Sequence, residues 1–257
     1  MNKLEALILG MVQGITEFLP ISSSAHLKLA KYFLGIQNEP GQIFFDLTCH
    51  LGTMIALLFY LKQDISKLIF HEPHKLKWLL IALMPLIPSY FLLKPLCDYF
   101  SPIGFLGGGL FITSLILFLG TKSRSISRNK CYYRDSLFIG SMQAIALIPG
   151  ISRSASTICT ARILGWEAKE AVRFSFLLAL PTVIGANLLE FTQLVMTHTP
   201  LPSFTSCFIG FCSSLGLGVI GVRYALPFLE KGILKPFAWY SLVASLLISI
   251  YMIFYGQ

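Results

Sequence analysis

Two short stretches of otherwise apolar sequence gather side chains whose types and spacing could do chemistry. One reads Pro149-Gly150-Ile151-Ser152-Arg153-Ser154-Ala155-Ser156-Thr157. Its proline and glycine stop one helix, and Ser152 or Ser154 can cap the start of the next. A helix N-terminus presents free N–H groups and the positive end of its dipole. Arg153 adds a planar, permanently charged fork that suits phosphate oxygens. Together these groups make an anion site. The plainer reading, an interfacial arginine beside serines that merely cap, sits poorly with an arginine inside an apolar run, which is costly and marks function.

The other stretch holds Gln13 and Glu17, four apart and so on one helical face, then Pro20, Ser22, Ser23, Ser24 and His26. A carboxylate, hydroxyls and an imidazole within ten residues are equipment for phosphoryl or acyl transfer. A serine could attack while His26 moves a proton. Glu17 could instead hold a divalent cation, Mg²⁺ or Ca²⁺, that bridges to phosphate, since magnesium needs few protein carboxylates when phosphate and water complete its shell. Against these stand a structural carboxylate, a satisfied histidine and capping serines. Asp46 and His50 are also four apart, and Glu190 lies in a later apolar run. Such acids hint at a polar cavity opening to one side, although Asp46 and His50 could simply pair with each other.

The elements that must position these groups are membrane helices. Of 257 residues, 55% are hydrophobic and only 12% charged, with a mean hydropathy of +0.72. A soluble domain carries about 25% charged residues. Six segments are long and apolar enough to span, near 42–62, 76–95, 102–120, 172–196, 202–229 and 237–255. Two further stretches, from Leu4 to about Leu34 and from Ser136 to about Leu164, are interrupted by the polar breakers. Each could form two full spans or a re-entrant hairpin that dips in and returns; half-helices of about a dozen residues fall short of a span and favour the hairpin. Glu5, Gln13 and Glu17 argue against a signal peptide at the start. The six cysteines, Cys131 among them, show no metal-type pairing and read as small apolar residues.

The two breakers repeat each other. At an offset of 130, Gln13, Ile15, Ile21, Ser22, Ser24 and Ala25 match Gln143, Ile145, Ile151, Ser152, Ser154 and Ala155. Three spans separate the hairpins, so the second unit must be upside down, an inverted-topology repeat with halves near 1–120 and 131–257 in one polytopic domain. In such folds the broken helices meet near the bilayer midplane and build the site there. Positive charge bears on the topology. Of the 20 basic residues, one side receives fifteen, running from Lys62 through Arg124, Arg128 and Lys130 to Lys235. The other side has only Lys3, Lys28, Lys31 and Lys94, and Arg153 lies in the breaker. The rich side is therefore cytoplasmic and both termini lie outside. A basic patch for nucleic acid is not the reading, because the charges are spread over short loops.

The run from Val12 to His26, VQGITEFLPISSSAH, resembles the first signature of the bacitracin-resistance type undecaprenyl-diphosphatases. The run from Pro149 to Thr157 resembles their second, and Phe174 to Pro181, FSFLLALP, a further shared segment. The resemblance covers essentially the whole chain. It implies dephosphorylation of undecaprenyl diphosphate to undecaprenyl phosphate, aided by a divalent cation, on the outer face of the bacterial cytoplasmic membrane. It also implies that Glu17, Ser23, His26, Ser152, Arg153, Ser154 and Thr157 are essential. In that picture Ser22, Ser24, Ser152, Arg153, Ser154 and Thr157 hold the diphosphate, and Glu17 takes the metal with Gln13 nearby. Ser23 attacks with His26 relaying the proton, or His26 or a water attacks instead, and Gln13, Gln143 and Asp46 support. Gln13 stands where the family's first acidic residue is usual, and Ala155 where glycine is usual. The expected partners are the polyprenyl diphosphate and membrane lipids, and a homodimer is compatible with the sequence. The rival reading is a lipid or anion transporter, since inverted repeats with broken helices are also a transporter architecture.

Overall fold

The computed structural model describes residues 1–36, 41–123, 132–197 and 200–255. Cys131, Arg124, Arg128 and Lys130 lie outside the described residues. Within them the chain forms α1 (Lys3–Thr16), α2 (Ser23–Phe33), α3 (Gln42–Phe70), α4 (Pro73–Leu83), α5 (Leu86–Tyr99), α6 (Leu106–Lys122), α7 (Tyr132–Ile145), α8 (Arg153–Ile163), α9 (Ala168–Met196), α10 (Phe204–Glu230) and α11 (Lys235–Tyr255), with one 3-10 turn ahead of α6. Six helical stretches are long and apolar enough to cross a membrane, and the protein is an all-α integral membrane protein. Large apolar side chains such as Phe91, Leu92, Phe204, Ile253 and Phe254 are exposed around its outside, a surface suited to lipid.

One span differs from its expected form. The stretch expected as a single helix near 76–95 is two, α4 and α5, with Met84 and Pro85 between them. Pro85 has no N–H to donate and its ring crowds the preceding turn, which breaks the ladder.

The four hairpin helices are short. α1 and α7 have 14 residues and α2 and α8 have 11. At 1.5 Å per residue these reach about 21 Å and 16 Å, less than the ~30 Å hydrocarbon thickness. α1 starts at a capping box, in which Asn2 accepts from the Glu5 N–H at 2.8 Å while the Glu5 carboxylate accepts from the Asn2 N–H at 2.6 Å.

Packing exchanges partners between the halves. α1 lies along α10, and α7 lies along α4 and α5; α3 meets α9, and α6 meets α11. Each hairpin is thus held by the other half. The main apolar core gathers Leu57 and Leu61 of α3, Ile158 of α8, Phe176 of α9 and Leu226 of α10 around Phe18, which comes from the first breaker and is 1% exposed. Phe18 and Phe176 meet with ring centroids 6.2 Å apart. Burying so large a side chain fixes the tip of the first hairpin against the second half.

Candidate active site

The two breakers meet. Arg153 Nη2 donates to Glu17 Oε1 at 3.1 Å, with the Arg153 side chain 21% exposed and that of Glu17 9%. Ser154 Oγ donates to the Leu19 carbonyl at 3.4 Å. Residues 136 apart in sequence therefore form one charged, hydrogen-bonded centre, where breaking one partner would strand the other.

Local geometry sets up each tip. In the second, Gly150 has φ +92°, a left-handed conformation that glycine adopts freely. It also abuts Gly109 of α6 so closely that a Cβ on either would strike the other's backbone. Thr113 of α6 locks this approach, donating to the Gly150 carbonyl at 2.9 Å and accepting from the Ser152 N–H at 2.9 Å. Ser152 then caps α8, accepting from the Ala155 N–H at 3.3 Å. Ala155, standing where glycine was expected, turns its methyl into the main core. In the first tip, Ser22 is the only non-glycine residue at positive φ (67°) among the described residues. Such backbone costs of order 1 kcal/mol or more and is found at functional sites. Ser22 and Ser24 approach at 3.3 Å between hydroxyls, and their counterparts Ser152 and Ser154 at 3.2 Å.

Both sets of serines line a single cavity of about 160 Å³ together with Glu17, His50 and Arg153. The starts of α2 and α8 border it, and each brings the positive end of a helix dipole. Among the described residues, the N–H groups of Arg153 and Ser154 have no protein acceptor, while those of Ala155 and Ser156 bond to Ser152. On one side Phe18, Leu57, Phe176 and Leu180 close the space beside Glu17 and Arg153. Farther along α9, Arg173 bridges Asp64 of α3 at 2.5 Å and Glu230 of α10 at 2.9 Å.

Glu17 is the hub. Its Oε2 accepts from Ser23 Oγ at 2.7 Å and from Gln13 Nε2 at 2.9 Å. The Gln13 amide also approaches His50 Nδ1 at 2.8 Å, and that nitrogen lies 3.7 Å from Glu17 Oε2. A glutamine here donates to Glu17, where a second carboxylate would repel it unless protonated. Gln13 and Gln143, equivalent in the repeat, each keep a buried Oε1 without a hydrogen-bond partner; Gln143 Nε2 donates to Thr182 at 3.3 Å.

Besides Gln143, three more expected residues are placed elsewhere. His26 does not line this cavity and has no bond to Ser23. Its Nδ1 meets the Ser22 carbonyl at 2.8 Å and its Nε2 the Tyr240 hydroxyl at 2.7 Å. Thr157 is buried and bonds Ser175 Oγ at 2.6 Å, which ties α8 to α9. Asp46 pairs with Lys31 at 2.6 Å, leaving His50 to the Glu17 centre. His50 was noted in the sequence but set beside Asp46, and Tyr240 was not singled out there. The i, i+4 spacing suggested Asp46 as the partner of His50, and nothing local links Tyr240 to a residue 214 positions away.

A divalent cation is compatible with part of this donor set. Beside Glu17, the orphaned Gln13 Oε1 is a hard oxygen of the type that Mg²⁺ and Ca²⁺ accept. No cluster of three or more His, Cys, Asp or Glu is found among the described residues. The residues therefore fit a cation that takes most of its shell from phosphate and water, and do not form a protein cage.

The profile of the family described as bacitracin resistance protein BacA matches residues 6–247. A protein of Protochlamydia amoebophila named undecaprenyl-diphosphatase is 37% identical over 250 residues, covering 96% of this chain and 97% of its own. One of the same name from Halothermothrix orenii is 35% identical, covering 97% and 98%. Undecaprenyl-diphosphatase 4 of Bacillus cereus is 36% identical, covering 93% of each chain.

Proposed function

This chain belongs to the bacitracin resistance protein BacA family, and from that membership and the cavity's chemistry we infer that it is an undecaprenyl-diphosphatase. It hydrolyses undecaprenyl diphosphate to undecaprenyl phosphate and phosphate, and so recycles the lipid carrier of cell-wall synthesis. The observation that carries this reading is the convergence of Glu17, Ser23 and Arg153 between two helix N-termini in one cavity.

The diphosphate occupies that cavity. Arg153, the free N–H groups at the start of α8 and the paired serines receive its oxygens. Ser23 Oγ attacks the terminal phosphorus, forming a Ser23–phosphorus bond as the bridging oxygen departs with undecaprenyl phosphate. The serine proton passes to Glu17, its hydrogen-bond acceptor. Water then hydrolyses the phosphoserine and releases phosphate. A loose phosphoryl-transfer transition state asks little of the base and much of positioning and charge, so an orienting carboxylate suffices. With both ring nitrogens engaged elsewhere, His26 acts on the position of Ser22, and has no direct path to the Ser23 proton. A divalent cation at Glu17 and Gln13 would neutralise charge on the phosphate oxygens.

The protein sits in the bacterial cytoplasmic membrane with both termini outside and the cavity reached from that side. The excess of basic residues at the opposite ends of the spans supports this, as do the apolar wall and the Asp64–Arg173–Glu230 bridge on that basic side.

Product identity is the test. Purified protein in detergent, given undecaprenyl diphosphate, should release inorganic phosphate and leave the monophosphate lipid. Release of inorganic diphosphate would mean cleavage at carbon, and no release at all would favour a transporter. Either result rejects the assignment.

A further inference from the structure

The halves differ where their hairpins meet the last span. In the second half, α8 packs directly against α6, helped by the backbone approach at Gly109 and Gly150. In the first, α11 packs its backbone on α6 and meets α2 only through side chains, His26 with Tyr240 at one end and Phe33 with Tyr251 at the other. The gap between α2 and α11 is a groove of about 420 Å³. Its floor is Leu29, Ala244 and Ile248, resting on the buried cluster of Ala25, Leu106 and Leu110. Its rims are Phe33, Leu247 and Tyr251, and the first two are 64% and 63% exposed.

The polar end of the groove is the pair His26 and Tyr240, whose rings stack with centroids 5.6 Å apart. The Ser22 carbonyl can only accept, so Nδ1 of the neutral imidazole carries the proton and Nε2 receives the Tyr240 hydroxyl hydrogen. Ser22 itself lines the diphosphate cavity. One residue therefore links the headgroup cavity to the groove, and the chemistry changes from polar to apolar along a single helix. From His26 to Phe33, α2 provides about 10 Å of apolar track at 1.5 Å per residue.

We propose that this groove seats the first isoprene units of the substrate's polyprenyl chain, with the His26–Tyr240 pair at the junction between headgroup and tail. This rests on the undecaprenyl-diphosphatase reading and adds to it where the tail lies and which residues select a long-chain substrate. The occupant is the substrate's own tail because the groove begins one helical turn from the headgroup cavity, its polar end His26 bonded to the carbonyl of the cavity-lining Ser22. It is also apolar beyond its polar end and open toward lipid, which a chain longer than the groove requires.

Ala244→Trp fills the groove floor, and Phe33→Ala/Leu247→Ala removes two exposed rims without touching the headgroup cavity. Each should raise KM for undecaprenyl diphosphate roughly tenfold, the equivalent of a few lost methylene contacts. The inhibition constant of dimethylallyl diphosphate, which carries the headgroup but only one isoprene unit, should stay within about twofold in the same preparations. If neither variant separates the two ligands, either because both lose equally or because neither changes, the groove is only a lipid-filled seam and the proposal is overturned. Should the unaltered protein release no phosphate from undecaprenyl diphosphate, the functional reading fails first, and that result is told apart by needing no variant.

Discussion

At the residue scale, the proposed function turns on which groups Glu17 holds. It accepts from Arg153, Ser23 and Gln13, so each substitution there has a distinct consequence. Ser23→Ala should abolish phosphate release and any acid-stable phosphoserine in quenched turnover, while substrate still binds. A Ser23→Ala protein that retains turnover would move the attack to water. Ser22→Gly relieves the left-handed backbone at φ 67° and should raise stability by about 1 kcal/mol in thermal melts. It also removes a cavity hydroxyl and should lower kcat; a loss of stability would show that the conformation is unstrained. Glu17, Ser23 and Arg153 were readable from the sequence as candidates because their types and the breakers flanking them are local, and the structure brings the three together. His26 was read toward Ser23 because the two lie within one helical turn. Its ring orientation is set instead by the Ser22 carbonyl and by Tyr240, a contact that exists only once α2 and α11 are side by side.

At the element scale, the breakers were legible because proline, glycine and serine interrupt an apolar pattern, and the half-helices between them are too short to span. The α4–α5 break at Pro85 was not, since the apolar run continues through it and proline kinks are common in membrane helices. The close approach of α6 to the second tip was equally invisible, because nothing in the run around Gly109 says which backbone it faces. That approach should be demanding. Gly109→Ala places a methyl against Pro149 and Gly150 and should lower both the melting temperature and turnover. Thr113→Val leaves the Gly150 carbonyl and the Ser152 N–H without their partner, a loss of about 1–3 kcal/mol per stranded group. Near-unaltered melting of both variants would show that α6 does not hold the second tip.

At the scale of the whole molecule, two halves built on one pattern place two helix N-termini on opposite sides of one cavity, and neither tip makes a site without the other. Sequence spacing gave the repeat and the convergence; it could not give the unequal packing of α2 and α8, which arises from contacts between halves. Because Arg153 is buried beside Glu17, its removal has to be separated from unfolding. Glu17→Gln/Arg153→Met, which removes both charges at similar volume, serves as the folded control. The most direct measurement is phosphate release from undecaprenyl diphosphate by the purified protein and by Arg153→Ala, with melting curves and size-exclusion profiles taken on the same samples. Expected is a fall of at least about a hundredfold in kcat from a protein that still elutes and melts as a folded species. Near-normal turnover by Arg153→Ala would contradict the claim that the two hairpin tips grip one diphosphate.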